Sequence, residues 1–185
     1  MLKHLSDLAN LRAVMILTTF SQLVSAHEFW LEPTQYVVPI GSTVGVDIRV
    51  GQMYQGRAYP YIEKQTTTFF WQDAEGRHEP GSITGDKPAA KLKIEKPGYS
   101  MLAYESDAFN IRFTDEELLL NYLNTEGLEW VVDWYRDNNK DLSEVTETYY
   151  RHAKALVAGE GAEEAPWLSE PLGLRIEIVP KSGFT

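Results

Sequence analysis

Between Gly41 and Gly51 the chain sets Val44, Val46, Ile48 and Val50 at every second position, with smaller or polar residues between them. Successive side chains of an extended strand point to opposite faces, so this spacing makes one apolar face and one mixed face. A chain of such segments has to pair them and bury the apolar side against a second layer. Short runs of β-branched and aromatic residues recur at 28–32 ahead of Pro33, at 35–39, 66–72, 90–96 and 99–104. Turn-forming residues fall between them, as at Pro97-Gly98, where proline removes a ladder donor and glycine admits the turn. Residues 174–179, Leu-Arg-Ile-Glu-Ile-Val ahead of Pro180, alternate cleanly and are predicted to form one more strand.

Three stretches depart from that rhythm. Residues 51–65 are aromatic, punctuated by Gly56 and Pro60, and lack either period; they read as a long loop presenting Tyr54, Tyr59 and Tyr61. At Thr114 the period lengthens towards 3.6, with Thr114-Asp115-Glu116-Glu117 as a capping box before Leu118, Leu119, Tyr122 and Leu123, and Gly127 placed to end the helix. Residues 128–135 give a second short amphipathic helix, whose Trp130 and Trp134, four apart, are expected to pack on the sheets. Residues 146–157 fit both periods, and the strand is favoured. The expectation is a mainly β fold, an immunoglobulin-like β-sandwich with a short two-helix insertion at one end.

The chain has no cysteine, which removes disulfides, thiolate metal sites and a cysteine nucleophile. Its net charge of −10 repels phosphate, so nucleic acid is excluded as a partner. Residues 1–12 carry Lys3 and Arg12, residues 13–24 are largely apolar, and Val24-Ser25-Ala26 offers small residues for cleavage. That order describes a signal peptide over 1–26, with an apolar run shorter than the roughly 20 residues a membrane span needs. The mature chain is therefore expected to be a single domain over 27–185, exported to the periplasm or beyond.

Cleavage after Ala26 turns His27 into the first residue, placing a free α-amine of pKa about 8 beside an imidazole. One residue then offers two nitrogen donors, a chelate suited to Ni, Co or Cu. His152 is a further ligand if its strand passes the N-terminus, and His78, in the turn Gly76-Arg77-His78-Glu79-Pro80, is a third. Against this stand plainer roles: a terminal residue after a cleavage site, an exposed strand histidine and a loop histidine. Glu28 and Glu32 share a strand face with Trp30, and Asp115-Glu116-Glu117 is better explained by the positive end of a helix than by metal binding.

The leader followed by Ala26-His27-Glu28-Phe29-Trp30-Leu31-Glu32-Pro33, the stretch Tyr122 to Leu128, the run Tyr150 to Val157, and Leu172 to Pro180 together resemble the secreted bacterial family called domain of unknown function 4198. The resemblance implies an immunoglobulin-like periplasmic domain serving cobalt or nickel uptake, often followed by a second β domain. Thr185 comes five residues after Pro180, so that second domain is expected to be absent. The resemblance implies a tyrosine as the usual residue where His152 stands, so His152 is an extra feature of this sequence.

No nucleophile elbow, His-Glu-x-x-His helix or glycine-rich phosphate loop is present, so the chain is not expected to be an enzyme. The leading expectation is a periplasmic accessory protein that captures a divalent transition metal, Ni or Co and alternatively Cu, for a membrane transporter. Its rivals are a β-sandwich module that binds protein or carbohydrate through residues 53–61 and, third, a copper oxidase built on a histidine brace, which needs two histidines on one ion.

Overall fold

The strand with the clearest alternation, β3 (Thr43–Gln52), is the axis of the first sheet. A computed structural model describes residues 28–181; the signal peptide predicted over 1–26 and the candidate ligand His27 lie outside the described residues. Strand β1 (Glu28–Pro33) runs antiparallel along one edge of β3, with Glu28 opposite Gly51 and Pro33 opposite Val46. The other edge is shared by β4 (Gln55–Tyr59), along 48–52, and β7 (Ala90–Lys93), along 43–46. The second sheet has the order β2 (Val37–Val38), β11 (His152–Gly159), β8 (Gly98–Ser106), β5 (Thr66–Asp73), β6 (Gly76–His78), with only β2 parallel to its neighbour.

The two sheets face each other across one apolar layer. Leu31, Val44, Val46, Ile48 and Leu92 from the first meet Phe69, Leu102, Tyr104, Ala155 and Val157 from the second. This is the β-sandwich that the alternation requires. The second sheet is covered on its outer face as well, where Leu168, Leu172 and Leu174 of the C-terminal segment lie on Phe70, Met101 and Ala103.

Between β8 and β11 the chain leaves the sandwich to build β9 (Phe109–Phe113), α1 (Glu116–Thr125), α2 (Trp130–Asp137) and β10 (Val145–Tyr149). Phe113, Leu119, Leu123, Val132 and Val145 give this insertion its own core. Asp115, rather than Thr114, caps α1, its carboxylate accepting from the N–H groups of Glu117 and Leu118. An aspartate cap answers the same unpaired donors and adds a negative charge to the helix start. Gly127, at φ +69°, follows the end of α1 as expected.

Four expectations are corrected. Residues 51–65 are not a long loop: β3 and β4 form a hairpin through Met53 and Tyr54, both in left-handed backbone at φ 51° and 55°. The turn lacks the Asn-Gly pair that advertises such hairpins, and half-exposed β4 carries little apolar signal. Residues 146–157 are strand, as favoured, but as two strands in different sheets rather than one, broken at Tyr150-Arg151, and β9 had no clear alternation to announce the partner of the first. Trp130 and Trp134 do not pack on the sandwich; they are 62% and 46% exposed, because α2 turns Val132 towards the insertion's own core. Residues 174–179 form no strand, for a reason given by the charges beneath them.

Gly51 and Gly56 stand opposite each other in the β3–β4 hairpin, and a Cβ on Gly56 would lie 2.7 Å from the Trp30 ring and closer still to the Val50 carbonyl. Gly56→Ala is therefore expected to cost about 1–3 kcal/mol in chemical denaturation, as an overpacked site does. Met53→Asn, which suits left-handed backbone at an exposed tip, is expected to gain a few tenths of a kcal/mol up to about 1 kcal/mol in the same assay.

Candidate functional site

Strand alternation sorts the functional side chains. On β11, Ala153, Ala155 and Val157 point into the sandwich, so His152, Lys154 and Leu156 point to the outer face. On β8 the outer positions include Met101, Ala103 and Glu105. His152 and Glu105 are cross-strand partners there, with His152 Nε2 3.6 Å from a Glu105 oxygen. That ring nitrogen is buried and has no hydrogen-bond partner.

The outer face thus holds an imidazole, an ammonium and a carboxylate under cover, and buried charge is costly unless answered. The C-terminal segment supplies the answers. Arg175 donates its backbone N–H (3.1 Å) and its guanidinium to Glu105, gives a further bond to the Ser106 carbonyl, and stacks on Tyr150 at 4.2 Å. Glu177 accepts from Lys154 at 2.9 Å and from the N–H groups of Leu172 and Gly173 at 3.0 and 2.8 Å. Burial alone would raise the Glu105 and Glu177 carboxyls; the Arg175 bonds in one case, and the Leu172, Lys154 and Gly173 bonds in the other, hold both below the ordinary range.

This explains why 174–179 is not a strand. A regular strand would turn Leu174, Ile176 and Ile178 inward together. Instead Leu174 is buried while Arg175 and Glu177 also reach the sheet, leaving Ile176 and Ile178 72% and 88% exposed. The apolar pattern yields because Glu105 and Lys154 both stand on the covered face, and covering either without an opposite charge is costly.

His78 ends the edge strand β6, stacked on Trp71 at 4.0 Å with its Nε2 3.0 Å from Asp73 Oδ1. Burial pushes the Asp73 carboxyl up, but bonds from His78 and the Glu75 and Gly76 N–H groups hold it low. His78 faces a groove of about 720 Å³ whose rim mixes Lys91, Lys93 and Lys96 with Glu75, Glu79 and Glu95. The two described histidines lie three strands and three residues of register apart, more than about 15 Å, and on opposite faces of the sheet. No single ion reaches both.

β11 does pass β1, since the Arg151 guanidinium lies over the Phe29 ring at 5.4 Å. His152, one residue on, points through the other face. Glu28, the first described residue, accepts from the Tyr54 N–H at 2.6 Å, and Glu32 pairs with Arg49. Among the described residues no three His, Asp or Glu side chains stand close enough to hold a metal ion. Tyr54 is 75% exposed at the hairpin tip and Tyr59 47%, whereas Tyr61 packs on the main core against Phe69.

Glu105 escaped the sequence reading. A lone glutamate in Ala103-Tyr104-Glu105-Ser106 carries no motif, and only the arrival of Arg175 from 70 positions away reveals its environment.

Because both carboxyls titrate lower in the folded chain than the 4.5 of an ordinary glutamate, their stabilisation is complete above that pH and is lost as the pH falls through the folded values. The thermal midpoint, followed by circular dichroism, should therefore drop on acidification below about pH 4.5. Glu105→Gln and Glu177→Gln should each cost about 1–3 kcal/mol at neutral pH and flatten that acid dependence.

A family model described as a domain of unknown function, DUF4198, matches residues 24–184. No curated protein and no solved structure matches the chain.

Proposed function

The chain belongs to the DUF4198 family, and from that premise we propose that it is an exported metal-binding accessory protein, which captures a divalent transition metal, Ni or Co and alternatively Cu, and passes it to a membrane transporter. The observation that carries this reading is the meeting of a cleavage position with a strand start. Ala26-His27 ends the leader pattern, and Glu28 already stands in register opposite Gly51, with its carboxylate tied to the Tyr54 N–H. A free amine and imidazole at residue 27 would therefore be attached directly to a fixed strand rather than to a long tail, which lowers the entropy lost on closing a chelate. The metal is cargo in this reading, not a resident cofactor, and no catalytic step is assigned.

His78 and His152 each stand against one carboxylate, so they are second in line to His27 as ligands. Isothermal titration of Ni(II), Co(II) and Cu(II) into protein beginning at His27 should give binding weakened on the order of tenfold or more when one alanine precedes His27, because the five-atom reach of amine and imidazole is then lost. Equal affinity in both proteins would remove the amine from the site. His78→Ala and His152→Ala are expected to cost less than His27→Ala in the same titration.

A second reading is favoured by the exposure of Tyr54 and Tyr59 on the β3–β4 hairpin: a module that recognises protein or carbohydrate through aromatic side chains. It is distinguished by Tyr54→Ala with Tyr59→Ala, which should abolish partner capture and leave metal titration unchanged.

A further inference from the structure

Arg151 occupies the joint between β10 and β11, where the insertion rejoins the sandwich. Ser106 fixes its backbone from both sides: the Arg151 N–H donates to Ser106 Oγ at 2.8 Å, and the Arg151 carbonyl accepts from the Ser106 N–H at 2.9 Å. The guanidinium lies among three rings, 5.4 Å from the centre of Phe29 and 5.5 Å from those of Phe109 and Tyr149. Among the described residues no carboxylate pairs with it. Arg49, Arg112, Arg136 and Arg175 each hold one, Arg77 donates instead to Gln72 and the Leu172 carbonyl, and Arg57 is exposed to solvent.

Beside this guanidinium opens a cavity of about 160 Å³, walled mainly by Phe29, Tyr59, Pro60, Tyr104 and Phe109. It is too small for a drug-sized molecule and holds about five water volumes. An apolar cavity with one cation on its wall selects for charge and shape together. Rings hold the guanidinium through their faces but leave its N–H fork unanswered, and a carboxylate matches that fork with two parallel bonds. The partly buried site strengthens such a pair relative to water.

We propose that this cavity binds a small organic carboxylate carrying an aromatic ring or a branched aliphatic chain, with the carboxylate on Arg151 and the apolar body between Phe29, Tyr59 and Phe109. The site is independent of His27 and stands whether or not the N-terminus takes a metal.

The test uses metal-free protein and two probes of one shape, benzoate and benzamide, in isothermal titration, with 4-methylpentanoate as the aliphatic probe. Saturable benzoate binding, tighter than benzamide on the order of tenfold or more, is the expected result, since only the anion makes the charge-assisted fork. Arg151→Gln should erase that preference, and Arg151→Lys should keep a reduced one, because a point charge lacks the planar fork. Circular dichroism checks that the variants fold; if Arg151→Gln does not, the native comparison and Arg151→Lys decide. Equal binding of benzoate and benzamide, or no saturable binding of either carboxylate at millimolar concentration, overturns the proposal and leaves Arg151 as a staple between insertion and sandwich.

Discussion

Strand β8 is buried along both faces, and the remainder of the fold follows from that constraint. From Ser100 to Ser106 every residue is buried. Its inward side chains, Leu102 and Tyr104, are covered by the first sheet. Its outward ones, Met101, Ala103 and Glu105, need a second cover, and the other two sheets do not provide it, one lying on the inner face and the β9–β10 pair belonging to the insertion. The C-terminal segment does so as an irregular strap. Leucines at 168, 172 and 174 seal the apolar part, and Arg175 and Glu177 answer the charges of Glu105 and Lys154. Without the strap those charges would stand on an apolar sheet half open to water. With it, they become the fasteners that set which residue of the strap lies over which strand.

The insertion has a different logic. It folds around its own five-residue core and touches the sandwich where β9 and β10 pair Phe109 with Tyr149 beside Arg151. Residues 109–149 carry ten acidic and three basic side chains, so seven of the chain's ten net negative charges sit on this unit. Half-buried Tyr122 illustrates how the acidity penetrates: burial, and then the nearby Glu147 carboxylate, raise its hydroxyl far above the ordinary value and keep it a neutral donor. On the surface of α2 the exposed tryptophans alternate with Glu129, Asp133 and Asp137, and Lys140 lies over the Trp134 ring at 4.7 Å. The sandwich is thus a near-neutral frame, and the insertion an acidic, aromatic-faced appendage.

Against this frame the histidines divide by position. His78 and His152 are drawn into the architecture, one clamped between Trp71 and Asp73, the other set beside Glu105 under the strap. A ligand role for either has to compete with a carboxylate already at hand. His27 lies outside the described residues, and the proposed metal chemistry rests on export and cleavage more than on any side-chain cluster. The Arg151 cavity depends on the opposite circumstance: a cation that the fold surrounds with rings and leaves without a counter-charge.

The two-sheet architecture was legible in the sequence because period-two patterning is a direct consequence of strand geometry. Val44, Val46 and Ile48 had one way to hide, and they hide as their spacing required. The α1 start and its Gly127 stop were equally readable, since capping is local chemistry. Membership of the family was also carried by short motifs along the chain. What the sequence could not say was which face needs what. The pattern at 174–179 promised a strand, and the charges of Glu105 and Lys154, set far away in the chain, demanded Arg175 and Glu177 instead. The direction of His152, the exposure of Trp130 and Trp134, and the ring cage around Arg151 were likewise decided by tertiary structure. Local spacing fixes which side chains share a face, but only the folded chain determines what lies opposite that face, and burial of charge depends on the second.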